Sequence, residues 1–324
     1  MDISRRAFTT FCATSALPLH GWAQERFPSK PITLVSPASP GGLTDIVGRV
    51  FAPYIATEVG QPVVVVNKTG AGGAVGTASV VGSAPDGYTL LLGVGAMATL
   101  PEQERLNGRK PPFTVDQLAP VASLTSESLI LVTHPDSAFR SFDDVVAFAR
   151  ANPGKLTYST TGPYGTYHVP LADFSREAGV NMLAVPYGGG GPALLALLRK
   201  DVDISFVSRA VGMAQIRAGK LRPLLVWGPD RLSDLPDVPS LKDGGWKTRY
   251  MLWTGLFGPA GMPAPVLASL RDAVATVMKN PALQQSLVKS GGDAAPMEGA
   301  AFEQFWQAET TRLGAVVQRI GRVE

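Results

Sequence analysis

Short apolar runs rich in β-branched residues alternate with helix-forming segments along almost the whole chain, and this alternation constrains the fold more than any other feature. Such a pattern is typical of sheets wound with helices. The runs predicted as strands are Ile32 to Ser36, Val63 to Val66, Tyr88 to Leu92, Leu129 to Thr133, Leu156 to Ser159, Leu183 to Val185, Ile204 to Val207 and Leu224 to Trp227. The sequence therefore predicts an α/β protein in which mostly parallel sheets are flanked by helices.

The chain is long enough for two domains that each have their own core, since it has 324 residues and a hydrophobic content of 45%. Because no flexible linker or internal repeat is present, short crossovers must join the domains. Extended segments near Pro120 to Leu124 and near Pro223 to Gly228 are candidates for these crossovers. We predict a discontinuous first domain, residues 24–123 with 228–324, a second domain, residues 124–227, and a hinge beside a ligand cleft between them.

The N-terminus has the features of an export signal. Arg5 and Arg6 form a twin-arginine pair, and the weakly apolar stretch after them is too short to span a bilayer. Small residues predict cleavage after Ala23, although a basic tail followed by a buried helix is an alternative. The only cysteine, Cys12, lies in this segment, and no later apolar run of about 18 residues follows. We therefore expect a signal peptide over residues 1–23 and a periplasmic mature chain without cysteine.

Three helix signals stand out. Pro53 is expected to kink or shorten the helix that follows the first strand. Ser141 and Asp144 form a capping box at the start of another helix. Apolar residues at helical spacing from Phe302 to Ile320 predict a C-terminal helix that docks onto a core.

Three glycine-containing loops each follow a predicted strand and open a helix: Pro37 to Asp45, Thr160 to His168 and Pro186 to Pro192. Glycines let backbone N–H groups turn inward, and a helix start adds partial positive charge, so such loops can hold an anion. A plain turn with Thr44 as N-cap is the alternative for the first loop, and Pro192 is expected at the first helical position of the last. Because open α/β sheets bind ligands beyond the carboxyl ends of their strands, the three loops could converge on one crevice.

A fourth loop, Gly70 to Gly76, superficially resembles a dinucleotide-binding turn. Its glycine spacing is irregular, and no strand ending in an acidic ribose ligand follows at the right distance. We interpret it as a loop that passes close to another backbone, and we keep a nucleotide-dependent oxidoreductase as an alternative.

Signals for catalysis and for nucleic-acid binding are weak. The formal charge is only +3 and the basic residues are scattered, so nucleic acid is not expected as a partner. The chain has no Gly-x-Ser-x-Gly elbow, no His-Glu-x-x-His and no phosphate-binding loop with lysine. Of the two later histidines, His134 is expected at the surface and His168 is expected to brace a loop rather than to act in acid–base catalysis. We therefore predict no enzyme activity, no metal and no cofactor.

An ordered succession of short motifs resembles the substrate-binding proteins of tripartite tricarboxylate transporters, the Bug-type periplasmic receptors, over essentially the whole mature chain. The motifs are Pro-Ser-Lys-Pro-Ile (28–32), Pro-Gly-Gly-x-Thr-Asp (40–45), Gly-Gln-Pro-Val-Val-Val-x-Asn (60–67), Gly-Ala-Gly-Gly (70–73), Ala-Pro-Asp-Gly-Tyr-Thr-Leu (84–90), Pro-Gly-Lys-Leu-Thr-Tyr (153–158), Val-Pro-Tyr (185–187), Ala-Gly-Lys-Leu-Arg (218–222), Leu-Pro-Asp-Val-Pro (235–239) and Pro-Ala-Gly-x-Pro-Ala-Pro (259–265). The resemblance implies a two-domain fold of the periplasmic-binding-protein type that closes around a small organic carboxylate. It also implies delivery of that ligand to the membrane subunits of a transporter, and we expect a monomer.

The resemblance also supplies candidate ligand-binding residues. Carried over by position, these are Ser39, Gly41, Gly42, Thr44, Asp45, Thr161, Thr166, Tyr187 and Gly188. The stretch Val207, Ser208 and Arg209 completes the set, with Arg209 expected at the surface and a bidentate contact to a second ligand carboxylate as the alternative. The sequence departs from the family where an aromatic residue, a third glycine and a serine are usual, since it has Ala38, Leu43 and Gly165 there.

The scarcity of acidic residues around these loops favours a carboxylate ligand without an ammonium group, because a buried unpaired cation is costly. Besides the oxidoreductase, a periplasmic scaffold with no small ligand is a second alternative.

Overall fold

A computed structural model describes residues 27–290 and 292–322. The predicted signal peptide, its cleavage site and Cys12 lie outside the described residues. The strands are β1 (Ile32–Ser36), β2 (Val63–Asn67), β3 (Thr89–Val94), β4 (Leu118–Glu127), β5 (Leu129–Thr133), β6 (Thr157–Thr160), β7 (Leu183–Pro186), β8 (Ile204–Val207), β9 (Arg222–Trp227), β10 (Leu252–Pro259) and β11 (Ala294–Glu298). All eight predicted strands are present.

The strands form two sheets. The first has the order β11-β4-β10-β3-β1-β2 and the second the order β7-β6-β8-β5-β9. We call each sheet with its helices a lobe. The chain passes from the first sheet to the second between Glu127 and Leu129, and it returns between Trp227 and Leu252.

The α/β class is confirmed, but both sheets are mixed rather than mostly parallel. In the first, β1 pairs in parallel with β2 and β3, whereas β10 runs antiparallel to β3 and β4, and β11 antiparallel to β4. In the second, β6 is parallel to β7 and β8, while β5 is antiparallel to β8 and β9. Three strands of the first sheet, β4, β10 and β11, were not predicted from the sequence.

The helices are α1 (Leu43–Val59), α2 (Ala74–Val81), α3 (Ala96–Leu106), α4 (Phe142–Ala151), α5 (His168–Ala178), α6 (Gly190–Leu198), α7 (Arg209–Arg217), α8 (Ala264–Met278), α9 (Pro281–Lys289) and α10 (Gly299–Ile320). None of the helices in the described part of the chain combines the length and the apolarity that crossing a bilayer requires.

Two expectations about helix starts and one about a helix interior need correction. Helix α1 continues through Pro53 to Val59 instead of ending early. Its N-cap is Gly42 rather than Thr44, and Pro192 is the third residue of α6 rather than the first. The capping box of α4 is confirmed, because the Ser141 hydroxyl accepts from the Asp144 N–H and the Asp144 carboxylate accepts from the Ser141 N–H.

The predicted C-terminal helix is confirmed as α10, and it touches both lobes. Its buried stripe includes Phe302, Trp306 and Leu313. It packs against α3 and β4 of the first lobe and against α5 of the second. The Tyr164 hydroxyl, from the loop before α5, donates to the carbonyl of Gly321 just beyond the helix.

Candidate functional site

A cavity of about 150 Å³ lies between the two lobes. Its walls come from segments that follow β1, β2, β3, β6 and β7, which is the position where open α/β sheets bind ligands. The lining residues are Pro37, Ala38, Gly42, Leu43, Thr44, Thr69, Gly70, Ala71, Gly72, Gly73, Val94, Ala96, Thr161, Thr166, Tyr167, Gly188, Gly189, Gly190, Val211 and Leu252. None of these lining side chains carries a charge.

Five helices begin at this cavity. The N-cap or first residue of each one lines it: Gly42 and Leu43 for α1, Gly73 for α2, Ala96 for α3, Tyr167 for α5, and Gly189 and Gly190 for α6. In none of the five does a side chain cap the first turn. Because the first N–H groups of a helix have no intrahelical partner and carry partial positive charge, the cavity attracts anions without a basic side chain.

The start of α1 is held by a small network outside the cavity. The carboxylate of Asp45 accepts from the Gly41 N–H at 2.9 Å, from Arg49 and from the Asn67 amide. Burial alone would raise the pKa of Asp45, but these hydrogen bonds outweigh it and hold that pKa below its usual value. Asp45 therefore braces the loop, and its carboxylate is not free to receive a ligand ammonium group.

Thr44 lines the cavity but its hydroxyl is already engaged. Its Oγ1 lies 2.8 Å from Ser36 Oγ at the end of β1. Across the mouth of the cavity, Ser39 Oγ donates to the carbonyl of Gly188 at 3.3 Å, so the two lobes touch directly.

The second lobe supplies Thr161 and Thr166. Thr161 Oγ1 accepts from the Tyr167 N–H at 3.4 Å, and the side chain of Thr166 is hydrogen-bonded to Tyr250. A Cβ at Gly165 would lie 2.5 Å from Thr161 Oγ1. Glycine at position 165 therefore leaves room for the Thr161 hydroxyl.

Tyr167 forms a wall that sequence reasoning did not select. It is buried, its hydroxyl is hydrogen-bonded to Ser208, and a Cβ on Gly190 would lie 3.0 Å from its oxygen. A side chain at position 190 would therefore have to displace the tyrosine hydroxyl slightly. Burial raises the pKa of Tyr167 above its usual value, so the hydroxyl stays protonated.

Of the twelve candidate residues, Gly42, Thr44, Thr161, Thr166 and Gly188 line the cavity. Ser39 sits at its mouth. The residues that do not line it are Gly41, Asp45, Tyr187, Val207, Ser208 and Arg209.

Arg209 is not the exposed surface residue that was expected. Only 7% of it is exposed, and its guanidinium donates to Asp293 at 2.7 Å and to Asp234 at 3.3 Å. Asp293 precedes β11 of the first lobe, whereas Arg209 begins α7 of the second. Arg209 therefore forms ion pairs with two carboxylates of the protein itself, and its pair with Asp293 connects the two lobes.

Beside this ion pair, Glu127 ends β4 and is fully buried. Its Oε2 accepts from the Arg209 N–H at 2.9 Å, while its Oε1 has no partner in the described part of the chain. Burial raises the pKa of Glu127 to about 8, although the Arg209 N–H and charge act in the opposite direction. The carboxyl is consequently protonated at neutral pH.

The Gly70 to Gly76 loop has the close backbone approach that its composition predicts. A Cβ at Gly76 would lie 2.5 Å from the carbonyl oxygen of Lys68 and 3.0 Å from Pro37 Cα. Gly70, Gly72 and Gly73 have positive φ angles and line the cavity. The glycines therefore let this loop pack against the first loop as a cavity wall.

His168 braces a loop, as predicted. It is buried at the start of α5, and its Nδ1 accepts from the Tyr164 N–H at 2.9 Å. Burial lowers the pKa of His168 to about 4, so the imidazole is neutral and keeps this acceptor. Within residues 27–290 and 292–322, His, Cys, Asp and Glu side chains form no group of three or more that could hold a metal ion.

Comparison with known proteins identifies the family. Residues 47–322 match the family described as tripartite tricarboxylate transporter family receptor. The chain belongs to this receptor family. A UPF0065 protein of Bordetella pertussis is 33% identical over 321 residues, covering 99% of this chain and 98% of the relative. The resemblance seen in the sequence motifs is thus confirmed.

Solved structures of receptor-family relatives share the fold. One described as a periplasmic transporter has a TM-score of 0.84 at 31% identity, covering 90% of this chain and 98% of its own. MatC from Rhodopseudomonas palustris, solved with bound malate, has a TM-score of 0.82 at 27% identity and is covered over its full length, with 90% of this chain. The two-domain periplasmic-binding-protein fold is confirmed, and the family to which the chain belongs consists of substrate-binding receptors.

Several cavity residues of this receptor escaped sequence reasoning. The lining residues outside the three loops selected from the sequence are Thr69 to Gly73, Val94, Ala96, Val211 and Leu252. Leu252 opens β10, a strand that was not predicted, and Val94 lies on the neighbouring strand β3. The unusual residues at positions 43 and 165 could have pointed to the cavity. Leu43 lines it, and Gly165 leaves room for the lining residue Thr161.

Proposed function

We propose that this receptor captures a small organic carboxylate between its lobes and delivers it to the membrane subunits of a tripartite tricarboxylate-type transporter. The observation that carries the proposal is the convergence of five uncapped helix starts on one cavity whose lining has no charged side chain. Helix dipoles, and first-turn N–H groups that have no protein partner, stabilise a carboxylate and repel a cation. At α5 the N–H groups of Tyr167, His168 and Val169 already donate to Thr161 and Gly165, so this start contributes its dipole. The malate bound to the related MatC is a ligand of this chemical class.

Binding by this arrangement is a better account than catalysis. Gly76 of the Gly70 to Gly76 turn packs against Lys68 and Pro37, as a loop in close contact with another backbone does, and the imidazole of His168 is neutral and accepts from the Tyr164 N–H. A scaffold that binds no small ligand would not explain why five uncapped helix starts meet at one cavity.

The proposal includes closure of the lobes around the ligand. We propose the domain division that the sequence predicts, residues 24–123 with 228–324 and residues 124–227, with the first crossing moved to the end of β4 after Glu127. The lobes would move about the segments that connect the two sheets. The hydrogen bond from Ser39 to the Gly188 carbonyl is a contact that opening would break. Small-angle scattering with and without ligand should show compaction, and an identical profile at saturation would contradict closure.

Export through the twin-arginine route is also proposed, from Arg5 and Arg6. Replacing both arginines with lysine should retain the precursor in the cytoplasm. Mature protein in the periplasmic fraction of the lysine variant would refute this route.

A thermal-shift screen of small carboxylates against the mature chain tests the central proposal. A ligand at a hundred times its Kd stabilises the folded state by roughly 2.7 kcal/mol, which raises the Tm by a few degrees. Amides of the same acids serve as uncharged controls, and mass spectrometry of the purified protein tests the nucleotide alternative. The proposal fails if no carboxylate raises the Tm, or if the amides raise it equally.

A further inference from the structure

We infer that the ion pair between Arg209 and Asp293 is a latch that sets the ratio of closed to open receptor before a ligand binds; this inference rests on the proposed closure of the lobes. Arg209 is the first residue of α7 in the second lobe, and only 7% of it is exposed. Its Nη1 donates to both carboxylate oxygens of Asp293 at 2.7 Å. The Asp293 backbone belongs to the first lobe, since its carbonyl accepts from the Ser126 N–H of β4 at 3.1 Å. The pair therefore has one member fixed in each lobe.

The latch lies on the flank of the molecule opposite to α10. Successive residues of a strand point to opposite faces of its sheet. In β3, Leu91 packs in the same core cluster as α10, whereas Leu90 and Leu92 pack in the cluster that contains α1. In β5, Leu131 packs with α5 and Ile130 with α7. The contact of α10 with α5 and the contact of α1 with α7 are therefore on opposite flanks, and the latch holds the lobes together on the second of them.

Asp234 keeps the guanidinium in place when the lobes separate. Its Oδ2 accepts from Arg209 Nη2 at 3.3 Å. Leu232 and Leu235, on either side of Asp234, pack against a core cluster of the second lobe. In an open receptor Arg209 would keep this carboxylate partner, and Asp293, whose side chain is 50% exposed, would be hydrated. Because opening leaves no buried charge unpaired, the latch can break and re-form.

The buried polar groups around the latch limit its strength. Arg209 Nε, Asp234 Oδ1 and Glu127 Oε1 have no hydrogen-bond partner in the described part of the chain. A buried polar atom without a partner destabilises the arrangement that buries it, and opening on this flank would admit water to these atoms. The latch should therefore bias the receptor toward the closed state without fixing it there.

The latch can change affinity without touching the ligand. Arg209 does not line the cavity, but Val211, two residues further along α7, does. Helix α1, which packs on α7, begins at the cavity with Leu43. When a ligand needs the closed receptor, its apparent affinity is reduced by the fraction of receptor that is closed. A weaker latch therefore lowers affinity for any carboxylate that the cavity holds.

The distance between two spectroscopic labels in the ligand-free mature chain tests the latch. The only cysteine of the sequence, Cys12, lies in the predicted signal peptide. Glu58→Cys on α1 and Leu195→Cys on α6 therefore place one label in each lobe, at positions that are exposed. Pulsed electron resonance then gives the closed-to-open ratio from the distribution of label distances.

Substitutions of the half-exposed partner, Asp293, change the latch and leave the buried arginine in place. Asp293→Asn should lower the closed-to-open ratio about fivefold, a modest effect because solvent screens the pair. Asp293→Lys adds repulsion with Arg209 and should lower the ratio about thirtyfold. Asp272→Asn is the matched control: it removes an exposed carboxylate of α8, in the same lobe, that is not a partner of Arg209, and the ratio should stay within about twofold of the parent value. The Tm of each variant reports folding.

The inference is overturned if neither folded Asp293 variant lowers the ratio, or if Asp272→Asn lowers it as much as Asp293→Asn does. Since no ligand is present, this result is separate from the thermal-shift screen of carboxylates. A carboxylate that raises the Tm, together with unchanged label distances, overturns the latch and leaves carboxylate capture standing. Distances that shift as expected, without any carboxylate response in the screen, support the latch and refute carboxylate capture.

Discussion

Helices that begin at the cavity differ from helices that begin elsewhere in how their first turn is satisfied. At α4, α7 and α9 a polar side chain, Ser141, Ser208 or Asn280, accepts from a first-turn N–H. At the cavity, α1, α2, α3 and α6 begin after glycine and α5 begins after Tyr167, and none of the five has a side-chain cap. Helix α8 shows that a missing cap alone is not enough, since it begins after Pro263 away from the cavity. What distinguishes the cavity is that several uncapped starts meet at one point.

Helix α7 has a carboxyl group at its start in addition to its Ser208 cap. Its first N–H, that of Arg209, donates to the buried carboxyl of Glu127 from the other lobe. The protein thus places a neutral carboxyl group at α7, whereas we propose that a ligand places a carboxylate at α1 and α6. The comparison can be tested by adding a carboxylate beside α6, by replacing Glu127 with a residue that does not titrate, and by removing the cap of α4.

The largest effect is expected from Gly188→Asp. A Cβ at Gly188 meets no atom within 4 Å, so the new side chain should be tolerated, and its carboxylate would stand beside the start of α6. Two like charges about 5 Å apart at an effective dielectric constant of about 20 repel by about 3 kcal/mol. Carboxylate affinity should therefore fall by about a hundredfold or more in calorimetry. Gly188→Asn has the same shape without the charge and should lose less than about tenfold; equal losses in the two variants would contradict an electrostatic cause.

An intermediate effect is expected from Glu127→Gln. The quantity to measure is the free energy of unfolding as a function of pH. The pKa of Glu127 is about 8 in the folded chain against 4.5 ordinarily, so between these values the unfolded chain releases a proton that the folded chain retains. Raising the pH through this window must therefore lower the free energy of unfolding. Since relaxation and water entry offset part of the cost of a buried charge, we expect about 2 kcal/mol between pH 5 and pH 8.

The glutamine variant keeps the acceptor for the Arg209 N–H and does not titrate. Its free energy of unfolding, measured by denaturant titration, should lack this component of the pH dependence. A parent protein that becomes more stable between pH 5 and pH 8, with the variant following the same curve, would show that Glu127 is ionised in the folded state.

The smallest effect is expected from Ser141→Ala at the start of α4. Loss of an N-cap acceptor costs about 1 kcal/mol of folding free energy. Because α4 begins outside the cavity, ligand affinity should stay within about twofold of the parent value. A marked change in affinity would mean that capped and cavity helices are not functionally separate.

Much of the fold followed from periodicity, and its gaps have physical causes. Strands such as β1 and β5 are rich in apolar and β-branched residues, so they were predicted with their observed bounds. Strand β4 contains Pro120 and several Ser and Thr residues, and β10 contains two glycines, so neither has the usual strand pattern. These strands are fixed by antiparallel pairing with each other, which is a tertiary contact and leaves no local signal.

The residues of the site that lie in loops were predicted from the sequence. The residues that reach the site through contacts between the lobes were not. Glycine-rich loops at strand ends pointed to Gly42, Thr161 and Gly188. The environment of Arg209 was not predictable, because its partners Asp234 and Asp293 lie 25 and 84 positions further along the chain. The aliphatic walls were missed for the same reason, since Leu252 reaches the cavity only through the pairing of β10.

If the lobes close as proposed, helix α10 is the expected fulcrum of the motion. It packs on α3 and β4 of one lobe and on α5 of the other, and Arg319 pairs with Asp173 at the second-lobe end. Displacement during opening must therefore be smallest along this helix and grow with distance toward Ser39 and Gly188. The distance between two spectroscopic labels placed near Ser39 and Gly188 should show the largest change on opening. The distance between labels on α10 and α5 should stay constant and serves as the internal reference.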